Sequence, residues 1–218
     1  MTAWVAAQQV TDQPPSCIAD LGCGIGAVLL LLAWRFPGAR ALGVEAQAVS
    51  VELARRSIAW NGVADRCAVV RGDLRDPMLR PGAFELVSGT PPYLPPGTAT
   101  ESRRIQVGAS HVEHRGGIEA YAIAAAPLLA PGGVFVACAA GAHGERVAAA
   151  ATAVALTVER RLDVVPRAGK ATLFSVYAMR RRADAQAFRS QPPLVVRDER
   201  GHRTPDFRNV RRAMGMPP

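Results

Sequence analysis

The chain has 218 residues, 49% of them hydrophobic, and a net charge of +8, so it is long enough to bury one α/β core without disulfide or metal support. Its four cysteines form no Cys-x-x-Cys pair, which favours buried free thiols over a disulfide framework. The sequence contains neither a basic segment ahead of an apolar one at its start nor an apolar run near the roughly 20 residues of a membrane span. We therefore expect a soluble, cytoplasmic protein.

Short β-like runs alternate with helical segments, a pattern typical of a parallel sheet covered by helices on both faces. Five strands are predicted, at residues 17–21, 39–45, 67–72, 84–89 and 133–140. Four helices are predicted, at residues 26–36, 46–61, 116–130 and 143–155. Two further β-rich runs, 156–164 and 171–179, predict an antiparallel hairpin. The expected fold is α/β, with seven strands of which the last is antiparallel.

Composition divides the chain into three parts. Residues 1–16 precede the first strand and hold one helical piece near residues 4–10. Residues 17–182 form the predicted α/β domain, and residues 183–218 form a basic extension.

Most of the positive charge lies near the end of the chain, where residues 180–212 hold ten arginines and four acidic residues. A basic segment beside a nearly neutral domain favours a polyanion partner such as RNA, because phosphate neutralisation dominates nucleic-acid affinity. We predict RNA contacts from Arg180, Arg181 and Arg182. The alternative is a solvated surface in a chain that uses arginine for every cation except Lys170.

Residues 18–26 read as a strand that enters a glycine turn and opens a helix. The turn has the spacing Gly-x-Gly-x-Gly, one residue tighter than the turn that binds a dinucleotide pyrophosphate. Asp20, at the end of the strand, repels phosphate and attracts a cation. S-adenosylmethionine fits both features, since it has an adenosine, a sulfonium and an ammonium group but no phosphate. The predicted cofactor contacts here are Asp20, Gly22, Cys23, Gly24 and Gly26.

Acidic residues end the next two predicted strands. Glu45 lies 19 residues after the last glycine of the turn, where a carboxylate can accept two hydrogen bonds from a ribose diol. Asp73 can accept from the adenine 6-amino group while Leu74 offers its backbone N–H to the ring. The alternatives are a helix N-terminal acid for Glu45 and an Asx turn for Asp73.

The fourth predicted strand ends in Thr90-Pro91-Pro92-Tyr93, the predicted catalytic segment. Methyl transfer from a sulfonium requires a nucleophile held in line with the methyl group, so positioning carries most of the catalysis. The two prolines lack N–H donors, which leaves nearby carbonyls such as that of Thr90 free to accept from an amino group. Tyr93 offers a ring for stacking a planar acceptor. A rigid turn with a core tyrosine is the alternative.

These motifs together resemble the class I S-adenosylmethionine-dependent methyltransferases marked by Asn-Pro-Pro-Tyr, which methylate planar nitrogens. With residues 129–133, 167–170 and 192–198, the chain is most similar to bacterial tRNA adenine-N6 methyltransferases that act on a valine tRNA. The resemblance implies a Rossmann-like seven-stranded methyltransferase sheet and direct in-line transfer to adenine N6. It implies S-adenosylmethionine as the cofactor and S-adenosylhomocysteine as the product.

Two departures keep other acceptors open. Thr90 stands where the family has Asn, and the chain begins after most of the N-terminal region that helps to build the substrate pocket in such enzymes. The alternatives are methylation of a small planar heterocyclic metabolite and a cofactor-binding module without activity.

Residues 95–115 predict a loop that covers the substrate, with Arg103 and Arg104 as phosphate contacts or, alternatively, as ordinary surface arginines. His111 and His114 suggest a metal site at first sight. No further ligand pair has the right spacing, so we expect no metal.

Overall fold

A computed structural model describes residues 1–76, 79–92 and 117–218. The helices in these ranges are α1 (Thr2–Gln9), α2 (Ala27–Arg35), α3 (Ala48–Trp60), α4 (Ile118–Leu128), α5 (Gly144–Ala153) and α6 (Pro205–Ala213). The strands are β1 (Cys17–Leu21), β2 (Arg40–Glu45), β3 (Cys67–Arg71), β4 (Phe84–Gly89), β5 (Leu129–Ala140), β6 (Leu156–Val165), β7 (Phe174–Arg181), β8 (Arg189–Ser190) and β9 (Leu194–Val195). No helix among the described residues combines the length and apolarity needed to cross a membrane.

The strands form one mixed sheet in the order β3-β2-β1-β4-β5-β7-β6. The pairs among the first five strands of this order are parallel, and β7 is antiparallel to both of its neighbours. This confirms the predicted Rossmann-like sheet with an antiparallel last strand. The prediction of seven strands omitted β8 and β9, which pair in parallel with β6. Strands of two residues carry no periodicity that a sequence pattern can show.

Two hydrophobic clusters cover the two faces of the sheet. Successive residues of β5 alternate between them, because neighbouring side chains of a strand point to opposite faces. Val134 and Val136 belong to the cluster that includes residues of α1, α2 and α3, whereas Phe135 and Ala137 belong to the cluster that includes residues of α4 and α5. The sheet is therefore buried on both faces, as the alternating pattern predicted.

Both terminal segments contribute to the first cluster. Val5 of α1 is fully buried there, and Leu194, Val210 and Met214 pack into the same cluster from the other end of the chain. Thr204 caps α6, since its side chain accepts a hydrogen bond from the backbone N–H of Phe207 at 3.2 Å. Residues before position 17 and after position 182 therefore share a hydrophobic cluster with the central strands.

Candidate functional site

A cavity of about 300 Å³ lies where the carboxyl ends of β1, β2, β3 and β4 meet. Ligands of open α/β sheets bind at this position, where the strand order reverses on either side of the first strand. The cavity is lined by residues 22–25, 44–47 and 72–74, with Thr90, Pro92 and Tyr121. The tertiary structure thus brings the glycine turn, Glu45 and the first part of the predicted catalytic segment to one cavity.

Three glycines give the turn its shape. Gly22, Gly24 and Gly26 have φ values of +60°, +56° and +87°, in the left-handed region where a side chain is strained. The backbone N–H of Cys23 donates to the carbonyl of Val44 at 3.0 Å, which ties the turn to the end of β2. The helix α2 begins directly after Gly26. The turn is therefore held at the mouth of the cavity by backbone contacts.

Glu45 connects the turn to the segment after β2. Its Oε2 accepts a hydrogen bond from the backbone N–H of Gly24 at 3.0 Å, and its Oε1 accepts one from the backbone N–H of Gln47 at 2.7 Å. The residue is only 7% exposed, yet it lines the cavity. Each carboxylate oxygen can accept more than one hydrogen bond. Glu45 can therefore hold the turn and still accept from a ligand hydroxyl.

Asp20 does not line the cavity, which differs from its predicted role as a direct contact. It is 2% exposed and lies beneath the turn, where the Ser88 hydroxyl donates to its Oδ1 at 2.7 Å. Burial raises the pKa of Asp20 to about 6, partly offset by the hydrogen bonds from Ser88 and the backbone of Leu29. Its charge can act on a cationic ligand through the electric field, without contact.

Asp73 and Leu74 line the cavity at the end of β3. The backbone N–H of Arg75 donates to Asp73 Oδ1 at 3.0 Å, so the Asx turn that the sequence left open is present. The Arg75 guanidinium also pairs with the carboxylate, at 2.5 Å between Nη2 and Oδ2. Water screens exposed pairs of this kind, so they are weak and a ligand amino group can compete for Asp73.

The predicted catalytic segment is described as far as Pro92. Thr90 is exposed and lines the cavity with Pro92, while Pro91 is buried. Tyr93, Arg103, Arg104, His111 and His114 lie outside the described residues. Elsewhere in the chain, the described residues include no group of three or more His, Cys, Asp or Glu side chains that could hold a metal ion.

Tyr121 of α4 is a lining residue that the sequence did not reveal. A tyrosine in an apolar helix looks like an ordinary core residue, and its position in the sequence carries no motif. It is 5% exposed, and its ring lies against Gly22 and Gly89. A Cβ atom on Gly22 would lie 2.2 Å from the Tyr121 hydroxyl oxygen. Only the tertiary contacts with Gly22 and Gly89 identify Tyr121 as a residue of the site.

Two of the three predicted RNA-binding arginines make contacts inside the protein, and both are only half-exposed. Arg180 is paired with the buried Glu159, at 2.8 Å between Nε and Oε1, and also donates to the backbone carbonyl of Gln9. Arg181 donates to the backbone carbonyl of Leu129. Both arginines belong to β7, between two other strands, whereas Arg182 follows the strand and is exposed.

The chemistry of the cavity fits S-adenosylmethionine. Among the residues that the structure describes, the lining holds the carboxylates Glu45 and Asp73 and no arginine or lysine. Such a lining disfavours phosphate groups and favours a cationic ligand with hydroxyl donors. The fold and the position of the site together are those of the class I methyltransferase fold.

Comparison with known proteins supports this class. Residues 18–97 match the family model described as a methyltransferase domain. The solved structure of a predicted O-methyltransferase from Agrobacterium tumefaciens is similar with a TM-score of 0.73, covering 98% of this chain and 97% of that one. At 20% identity this likeness shows the fold alone. The predictions of a class I methyltransferase fold and of S-adenosylmethionine as its cofactor are confirmed.

Two curated relatives have different acceptors in their names. The chain is 33% identical over 172 residues to the release factor glutamine methyltransferase of Bradyrhizobium diazoefficiens, covering 74% of this chain and 57% of the relative. It is 34% identical over 95 residues to the tRNA1(Val) (adenine(37)-N6)-methyltransferase of Porphyromonas gingivalis, covering 42% and 37%. The chain thus spans roughly 40 to 60% of the length of these relatives.

Proposed function

We propose that this chain transfers a methyl group from S-adenosylmethionine to a planar nitrogen of its substrate. One observation carries the proposal: Thr90 and Pro92 line the same cavity as Glu45 and the glycine turn. When a donor and an acceptor are held in one cavity, they are already close and oriented. This positioning supplies most of the rate enhancement of a methyl transfer.

The proposed roles follow from the positions of the lining residues. Glu45 accepts hydrogen bonds from the ribose hydroxyls, and residues 72–74 contact the adenine ring. Gly22 and Gly24 leave room for the amino-acid end of the cofactor, beside the charge of the buried Asp20. When bound, S-adenosylmethionine supplies an electrophilic methyl group.

Thr90 orients the acceptor in this mechanism. Its backbone carbonyl accepts a hydrogen bond from the N–H of the acceptor nitrogen, which frees the nitrogen lone pair from conjugation and aims it at the methyl carbon. The cofactor that the glycine turn, Glu45 and residues 72–74 would hold would supply the methyl carbon to this nitrogen, and its sulfur would leave as a neutral thioether. The methylated nitrogen then carries the positive charge that the sulfonium loses, and releases a proton to solvent.

We propose an adenine amino group of tRNA as the acceptor. The motifs at the four strand ends and the similarity to a tRNA adenine-N6 methyltransferase support this choice. Arg182 and the exposed arginines of residues 183–218 are the proposed phosphate contacts, together with Arg103 and Arg104.

A glutamine side-chain amide is the second candidate. It is favoured by the longer match, over 74% of the chain, to a release factor glutamine methyltransferase. The internal contacts of Arg180 and Arg181 also remove two cations from the surface that would bind RNA. A side-chain amide is planar like an adenine amino group, so the same Thr90 carbonyl can serve both.

Methyl transfer from radiolabelled S-adenosylmethionine distinguishes the acceptors. Purified protein is incubated with total tRNA, with a glutamine-containing release factor and with a small-metabolite extract, and a Glu45→Ala variant serves as the control. We expect label in tRNA, with a yield that falls steeply with salt because RNA binding releases counterions. Label in the release factor or in a metabolite would replace the tRNA proposal. Absence of label from all three substrates would contradict the proposed activity.

A further inference from the structure

Tyr121 lies between the two loops that the proposed reaction must bring together. One loop is the glycine turn after β1, and the other is the segment after β4 that begins with Thr90. A Cβ atom on Gly22 would lie 2.2 Å from the Tyr121 hydroxyl oxygen, and one on Gly89 would lie 2.6 Å from its Cδ1. The hydroxyl therefore faces the donor side and the ring edge faces the acceptor side.

In the proposed reaction, the methyl group passes from donor to acceptor in the space between these loops. Gly22 is the first glycine of the cofactor turn, and Gly89 immediately precedes Thr90. Tyr121 lines the cavity and packs against both glycines. A group that contacts both loops lies at the reacting end of a ligand bound across them.

The electrostatic surroundings keep the Tyr121 hydroxyl neutral. Burial raises its pKa well above the ordinary value, and the negative charges of Asp20 and Glu45 raise it further. A neutral phenol oxygen presents lone pairs, and carbon atoms bonded to a sulfonium carry polarised C–H groups. Contacts between such C–H groups and oxygen are weak hydrogen bonds.

We propose that the Tyr121 hydroxyl oxygen contacts the carbon atoms bonded to the sulfonium of S-adenosylmethionine, and so distinguishes the charged donor from its neutral product. This inference rests on the proposed function, because it requires the cofactor to occupy the cavity. It adds a cofactor contact that lies outside the glycine turn and the strand-end acids. The contact weakens when the methyl group leaves, which favours release of S-adenosylhomocysteine.

Calorimetry that compares the methyl donor with its demethylated product tests the contact. The wild type, Tyr121→Phe and Ile123→Ala are titrated with S-adenosylmethionine and with S-adenosylhomocysteine. Ile123 lies on the same helix, is 62% exposed and serves as the matched control. We expect Tyr121→Phe to lower the affinity for S-adenosylmethionine about three- to fivefold. Its affinity for S-adenosylhomocysteine should stay within twofold of the wild-type value.

Equal weakening of both ligands, or no change in either, would overturn the proposal and leave Tyr121 as a packing residue. Failure of the wild type to bind either ligand would instead overturn the proposed function. If Tyr121→Phe does not fold, the wild type still gives an answer by ¹³Cζ tyrosine NMR. The chain has three tyrosines, so single Phe replacements of the other two assign Tyr121, whose resonance should shift with the sulfonium ligand and not with the product. An equal shift with both ligands would contradict the contact.

Discussion

The hydroxyl of Ser88 donates a hydrogen bond to Oδ1 of Asp20 at 2.7 Å, and the two residues lie opposite each other in the parallel β1–β4 pair. Asp20 precedes the glycine turn by two residues, and Ser88 precedes Thr90 by two residues. This buried hydrogen bond therefore connects the strand end before the glycine turn to the strand end before the segment that begins with Thr90. The bond stabilises a carboxylate that burial disfavours.

Asp20→Asn is expected to stabilise the fold at neutral and alkaline pH. Burial raises the pKa of Asp20 from 3.8 to about 6, so the carboxyl contributes stability below pH 4 that is lost as pH rises through 6. The ionised form costs on the order of 3 kcal/mol at pH 8. Urea unfolding should show the variant more stable than the wild type at pH 8 and nearly equal at pH 4. Asp12→Asn, at an exposed position, is the control and should change little at either pH.

Glu45→Gln should weaken S-adenosylmethionine binding by at least about tenfold. The two carboxylate oxygens accept from different N–H groups, of Gly24 and Gln47, so an amide places an NH2 group against one of them. A ribose hydroxyl also loses a charged acceptor, and a hydrogen bond to a charged group contributes about 1.5–3 kcal/mol. Calorimetry measures the affinity, with Glu52→Gln on the exposed face of α3 as the control. Unchanged affinity would show that Glu45 does not hold the cofactor.

Alanine substitutions in the glycine turn should have unequal effects. Both Gly22→Ala and Gly24→Ala place a side chain at positive φ, which costs about 1–2 kcal/mol. Only Gly22→Ala also meets the Tyr121 hydroxyl, since no atom of the described residues lies within 4 Å of a Cβ on Gly24. Thermal unfolding should therefore show the larger loss for Gly22→Ala.

The clash is tested by combining Gly22→Ala with Tyr121→Phe, which removes the phenol oxygen. The next Tyr121 atom lies 3.1 Å from the added Cβ, so the double variant should recover part of the loss. Additive effects of the two changes would contradict the contact.

Arg180→Ala and Arg182→Ala should separate stability from RNA binding. Removing Arg180 leaves the buried Glu159 without its ion-pair partner, and breaking a buried pair costs about 3–5 kcal/mol. Removing the exposed Arg182 should leave the unfolding temperature unchanged and weaken tRNA binding in a filter assay. Unaltered tRNA binding by Arg182→Ala would remove this residue from the proposed RNA surface.

Sequence alone determined the order of the elements as far as β7 and the positions of the motifs along them, but not β8, β9 or α6. Glycines with a fixed spacing after a β-like run predicted the turn, because few other residues tolerate positive φ. Glu45 and Asp73 were found because each ends a predicted strand. The carboxyl ends of parallel strands meet at one edge of a sheet, so these residues were expected to lie together, and the predicted cofactor contacts line the cavity except Asp20 and Gly26.

Only the tertiary structure decided which of these groups line the ligand cavity and which are buried behind its lining. Asp20 and Arg180 look like surface charges in the sequence, yet each is paired inside the protein with a residue more than 20 positions away. The Tyr121 ring packs against Gly22 and Gly89, which lie 99 and 32 residues before it in the sequence. Burial and close approach depend on which distant segments pack against each other, and that information is absent from any single local pattern.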